Sequence, residues 1–62
     1  MLGERLKKAR LKAGYTQKML AEKSGISQEM ICQIELGKKQ PTVRLAAKLT
    51  AALKISLDDL IH

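Results

Sequence analysis

The stretch QKMLAEKSGISQEMICQIEL, residues 17–36, decides how this chain folds. Its small and apolar residues fall where two short helices must cross tightly around a glycine turn. Leu20, Ile26, Ile31 and Ile34 supply an apolar seam and Ala21 leaves room at the crossing. Gly25 has the freedom to take the left-handed conformation that ends the first of the two helices. The second helix keeps a polar edge free, and the whole segment has the layout of a helix-turn-helix.

Outward from this segment, Gly14, Gly25, Gly37 and Pro41 punctuate the chain. Three of the pieces they bound start alike, with an N-cap and a hydrophobic staple. Thr16 stands between Tyr15 and Leu20, Ser27 between Ile26 and Ile31, and Ser56 between Ile55 and Leu60, with Asp59 completing a capping box. Thr42, after Pro41, is a fourth N-cap without a staple. These signals predict five helices, at residues 2–13, 17–24, 28–36, 43–53 and 57–61, and no strand pattern competes.

Leu2, Leu6, Ala9 and Ala13 share one face of the first helix, and Leu45, Ala46, Leu49, Ala52 and Leu53 one face of the fourth. Both stripes have the helical period expected of core-facing surfaces. Two charges interrupt the pattern: Arg10 falls beside Leu6 and Ala13, and Glu35 follows Ile31 and Ile34. Either they pair with each other or each reaches solvent along its aliphatic stem.

Composition narrows the function. The chain has 62 residues, which suits one domain over 1–62 but leaves little room for a deep catalytic cleft. One Tyr and no Phe or Trp argue against a stacking platform for single-stranded nucleic acid. Twelve Lys and Arg against six Asp and Glu give a net charge of +6, the footprint of a polyanion-binding surface. Residues 1–40 hold nine of the basic and four of the acidic side chains, so the polyanion should meet that part. Cys32 has no cysteine partner, and Cys32 with His62 cannot build a metal site. A reduced, cytoplasmic setting is expected, nucleoid-associated, with no membrane segment, cofactor or small-molecule ligand in view. No nucleophile stands with a base and no Gly-rich phosphate loop is present, so no enzyme is expected.

These residues carry a resemblance over nearly the whole chain to the repressor-type (XRE) helix-turn-helix family, to which the phage Cro and CI repressors belong. The resemblance implies an all-α, compact five-helix lambda-repressor-like domain with the helix-turn-helix at its second and third helices. It implies a sequence-specific regulator of transcription, a repressor in particular, reading a palindromic operator in double-stranded DNA. It also implies a partly buried bridge between Arg10 and Glu35, and a Gln17 that contacts phosphate and braces Gln28. Lys38, Lys39 and Gln40 match the family's phosphate-binding loop; Lys18 is added from its place beside Gln17.

At about 100° per residue, Ile31, Ile34 and Glu35 point to one side of the third helix while Gln28, Glu29, Cys32, Gln33 and Leu36 fan across the other. That second fan is the expected base-reading face, because a recognition helix presents such a face to the major groove. A glutamine amide can bond bidentately to adenine, and Glu29 accepts only, which suits the cytosine amino group. Resembling proteins often carry a neutral residue at that position, and a first-turn carboxylate is also favoured by the helix dipole. Gln28, Glu29 and Gln33 are therefore the candidate base readers. Met30 and Leu36 read as packing or rim residues, and Lys7, Lys8 and Lys12 as a solvated face. Arg10 could reach phosphate wherever Glu35 leaves it free.

One small module buries little surface on DNA, so a homodimer is expected, with Leu53, Ile55, Leu57 and Ile61 as its contact. The competing reading is an antitoxin or adaptor of the same fold whose main partner is a protein. A chain ending just after its fifth helix fits a complete small regulator and an excised DNA-binding domain equally well.

Overall fold

Four of the five helices begin at a side-chain cap, as the Ser and Thr spacing requires. In the computed structural model, which describes residues 2–61, they are α1 (Leu2–Lys12), α2 (Gln17–Ser24), α3 (Gln28–Glu35), α4 (Val43–Leu53) and α5 (Leu57–Ile61). No strand occurs among the described residues. Thr16 Oγ1 accepts the Met19 N–H at 3.0 Å, Ser27 Oγ that of Met30 at 3.1 Å, and Thr42 Oγ1 that of Leu45 at 3.1 Å. At α5 the box is reciprocal: the Asp59 N–H donates to Ser56 Oγ at 3.1 Å, and the Ser56 N–H donates to Asp59 Oδ2 at 3.2 Å. Each cap satisfies an N–H that the first helical turn leaves without a carbonyl.

The core is aliphatic. Leu6, Leu20, Ile31, Ile34, Leu49 and Leu60 are fully buried, joined by Ile26, Leu53 and Ala46. Tyr15, Ala21, Met30, Leu45, Ala52 and Ile55 are partly buried against it. Burial of each large aliphatic side chain stabilises by about 1.5–3 kcal/mol, the main favourable term in so small a fold. The helices α1 and α2 pack on α3, α2 also packs on α4, and α5 closes the base against α1 and α4. One side of α3 is thereby buried and the other left to solvent.

Two helix ends lie inside the limits expected from the pattern. The first helix stops at Lys12, and Ala13 is exposed rather than part of the core stripe. The reason is the reversal at Gly14, where the Tyr15 N–H turns back to the Arg10 carbonyl at 3.0 Å. The third helix stops at Glu35, with Leu36 as its cap.

Gly25 does end α2 in the left-handed region, with φ 75°. Lys54 ends α4 in the same region, with φ 58°, although it carries a side chain. The Ile55 N–H then reaches the Thr50 carbonyl at 3.0 Å, which satisfies a carbonyl that α4 leaves open. Gly3 has a different task. A Cβ there would lie 2.5 Å from the Ile34 carbonyl oxygen and 2.6 Å from that of Glu35. Only a residue without a side chain lets α1 rest directly on the last turn of α3.

Candidate nucleic-acid interface

The position of α3 is set from both ends. At its start, Ser27 caps the helix and Ile26 and Ile31 anchor it in the core. At its end, Glu35 is gripped by Arg10: Nε donates to Oε2 at 2.7 Å and Nη2 to Oε1 at 3.1 Å. The two side chains are 9% and 5% exposed, so this forked, charge-assisted pair is nearly out of water. Arg10 Nη1 donates further to the Tyr15 carbonyl at 2.9 Å, tying in the loop between α1 and α2. The hydrogen bond to Glu35 holds the Arg10 pKa above its ordinary value, opposed by burial and helped by the opposite charge. Arg10 is committed to this network and is not placed to serve as a phosphate contact.

Gln17 joins the same network. Its Nε2 donates to Glu35 Oε1 at 3.1 Å, so among the described residues its amide is tied to Glu35 rather than braced on Gln28. A carboxylate is the stronger acceptor, and Glu35 has a lone pair that the guanidinium leaves open. The result is a three-residue clamp in which α1, the first turn of α2 and the last turn of α3 are held together.

On the free side of α3, Gln28 and Glu29 are exposed and Cys32 and Gln33 half-buried. Lys38, Lys39 and Gln40 are exposed in the loop that follows, and Lys18 is exposed beside half-buried Gln17. Backbone bonds stiffen that loop. The N–H groups of Lys38 and Lys39 both turn back to the Gln33 carbonyl, at 2.9 and 3.3 Å, and that of Gly37 to Ile34 at 3.0 Å. Its amides thus close the helix end, and any grip on phosphate falls to the lysine and glutamine side chains. Met30 packs on the core, and Leu36, 62% exposed, lies at the rim beside Leu2, Gly3 and Glu4.

The apolar residues assigned to a dimer contact differ in their burial and in the hollows they border. Leu53 is 6% exposed and belongs to the chain's own core, which corrects its assignment to an interface. With half-buried Ile55 it borders a hollow lined also by Ala9, Lys12, Ala13 and Asp59. Leu57 and Ile61 border a second hollow with Leu2, Pro41 and Val43. Val43 is strongly exposed there, turned away from the core stripe of α4, and no spacing marks it in the sequence. No group of three or more His, Cys, Asp or Glu that could hold a metal ion occurs among the described residues, and none of the described helices is long and apolar enough to cross a membrane.

A buried clamp behind a recognition-type helix, with polar side chains on its free face and lysines at its edge, defines a helix-turn-helix domain. The family description for helix-turn-helix matches residues 6–60, and the chain belongs to that family, in its XRE branch. Its relatives are transcriptional regulators and not enzymes. The chain is 39% identical over 61 residues to an SPbeta prophage-derived HTH-type transcriptional regulator, YonR, of Bacillus subtilis, covering 98% of this chain and 56% of that protein. It is 42% identical over 60 residues to the HTH-type transcriptional regulator ImmR of the same species, covering 97% of this chain and 47% of that one. The chain thus spans about half the length of these two relatives. Among solved structures, the master regulator for biofilm formation SinR in complex with DNA superposes with a TM-score of 0.96 at 32% identity, covering all of both chains. The restriction-modification controller protein C.AhdI of Aeromonas hydrophila superposes with a TM-score of 0.93 at 30% identity, covering 95% of this chain and 89% of that one.

Proposed function

We propose that this chain binds operator DNA by sequence, as a homodimer, and represses transcription by occupying the site. The observation that carries this is the polar row of exposed Gln28 and Glu29 and half-buried Gln33 on a helix whose two ends are pinned to the core. Base readout needs donors and acceptors held within a fraction of an ångström, and the Arg10–Glu35–Gln17 clamp supplies that rigidity from behind. Gln28 and Gln33 read adenine edges and Glu29 a cytosine amino group. Lys38, Lys39 and Gln40 on one side, with Lys18 and the first turn of α2 at Gln17 on the other, hold the phosphates that set register. The likeness to SinR in its DNA complex supports the same docking for this domain, and residues 1–62 then form a single DNA-binding unit. Its working place is the cytoplasm, on the nucleoid.

Dimerisation follows from size. A single module of this kind buries about 600–1,000 Å² on DNA, too little for tight specific binding. Exposed Ile61 and Val43, with half-buried Leu57 between them around one hollow, are the apolar residues that a second copy would cover. Two domains of 24 Å extent between Cα atoms, side by side with their side chains, suit half-sites one turn, about 34 Å, apart. SinR is also solved in a complex with SinI protein, matching this chain with a TM-score of 0.93, which supports a protein partner as the second reading. Sedimentation with and without a palindromic duplex, alongside titration of Gln28→Ala and Gln33→Ala, tests the proposal. A DNA-bound dimer that loses base preference in the variants is the expected result. A monomer with unchanged preference would overturn it.

A further inference from the structure

Leu36 is a large aliphatic side chain left mostly in solvent, at the edge of a shallow hollow that it shares with Leu2, Gly3 and Glu4 of α1. It is 62% exposed and is neither in the core nor among the apolar residues laid against it. Its backbone still follows the helix, with φ −78° and ψ −6° and its N–H on the Cys32 carbonyl at 3.0 Å, so helical phase holds as far as residue 36. At about 100° per residue from Gln28, Cys32 lies near 40° and Leu36 near 80°, between Gln28 and Gln33, which lies near 140°. The half-buried Cys32 and the exposed Leu36 are one turn apart and form an apolar strip along the middle of the face flanked by Gln28, Glu29 and Gln33.

In the major groove the apolar feature that distinguishes one base from the others is the C5-methyl of thymine. The geometry points to Leu36, with Cys32 one turn before it, as a specificity residue that covers thymine methyl groups in the operator. This inference rests on the DNA-reading role proposed above and extends it from hydrogen bonding to shape. The Leu36 side chain gains by leaving water against a methyl, while a cytosine or a guanine in that place would present polar edges to it with no partner. Lys38 and Lys39, two and three residues on, bring the phosphate backbone to the same end of the helix.

The test is a scan in which deoxyuridine replaces thymidine one position at a time in the selected operator, so that only the methyl is lost. The wild-type chain is expected to lose about fourfold in affinity at one or two positions per half-site, the value of one buried methyl. Leu36→Ala, at an exposed site, should bind the thymine operator more weakly by a similar factor and lose its response to uridine at one of those positions. Its dependence on salt should stay that of the wild type, since no phosphate contact is removed. 5-Methylcytosine placed there should recover part of the wild-type affinity relative to cytosine. The inference is overturned if the selected operator is uridine-insensitive, or if sensitivity persists unchanged in Leu36→Ala and in Cys32→Ala. If no operator can be selected at all, the DNA-reading role itself fails and this inference with it.

Discussion

Arg10 and Glu35 offer a sharp test of what holds α3 in place. Replacing Arg10 by Met keeps most of the volume but leaves a carboxylate, 5% exposed at its side chain, with only the Gln17 amide as donor. The Tyr15 carbonyl loses its donor too. Breaking a buried pair from one side typically costs 3–5 kcal/mol, because the remaining charge stays out of water. Glu35→Leu strands the guanidinium in the same way. In the double variant no charge is stranded, and what remains unpaired is the Tyr15 carbonyl and the Gln17 amide, at about 1 kcal/mol each. The double variant should therefore be destabilised by about 1–2 kcal/mol, less than either single one. A chain of this length has a total stability of about 3–9 kcal/mol, so the single variants will be close to unfolded. Urea titration in the cold, followed by far-UV circular dichroism, measures all four corners of the cycle. Because the Arg10 pKa is raised, its share of the stability is complete at all pH values below the ordinary arginine range. It is lost only as the pH rises through the raised value, so Arg10 brings no pH dependence near neutrality. The reasoning is refuted if the double variant is as unstable as the sum of the singles, or if either single variant unfolds like the wild type.

Other outcomes follow from particular contacts. Gly3→Ala drives a Cβ against two backbone carbonyls of α3 and should destabilise by about 2 kcal/mol or more, seen as a lowered thermal midpoint, with a weakened operator affinity as α3 shifts. Lys54→Gly relieves a side-chain-bearing residue from the left-handed region and should stabilise by about 1 kcal/mol; a fall in melting temperature would contradict this. Lys38→Ala should weaken binding to all sequences alike and reduce the slope of log affinity against log salt by about 1. Glu29→Gln should change base preference at one position of the half-site, and an unchanged preference removes Glu29 from the readers.

Local rules made most of the backbone legible. The Thr16, Ser27, Thr42 and Ser56 caps are visible from spacing alone because each needs only a hydroxyl three residues before an open N–H. The inward places of Arg10 and Glu35 came from helical phase, and their pairing from the resemblance. What escaped depends on contacts between distant segments. Gly3 sits within a helix, where periodicity treats it as a neutral gap, and only the packing of α1 on the end of α3 reveals its need for hydrogen alone. The capture of Gln17 by Glu35 is a choice among acceptors, and no spacing encodes it. Ala13 has the right phase for the core but lies past the end of α1, at the reversal before Gly14, and Leu53 has the phase for both a core and a surface contact. On the free face of α3, phase alone placed Gln28, Glu29, Cys32, Gln33 and Leu36 together, and only the structure shows that Cys32 and Gln33 are half-buried there while Leu36 is exposed.

Selection of the chain against random duplex DNA at near-physiological salt, then titration of the enriched sequence over several salt concentrations, tests operator reading most directly. A palindrome with half-sites about one turn apart, bound a thousandfold or more tighter than random DNA, is the predicted result. Weak, sequence-blind binding that falls steeply with salt would contradict it and leave the positive charge as general attraction to polyanions.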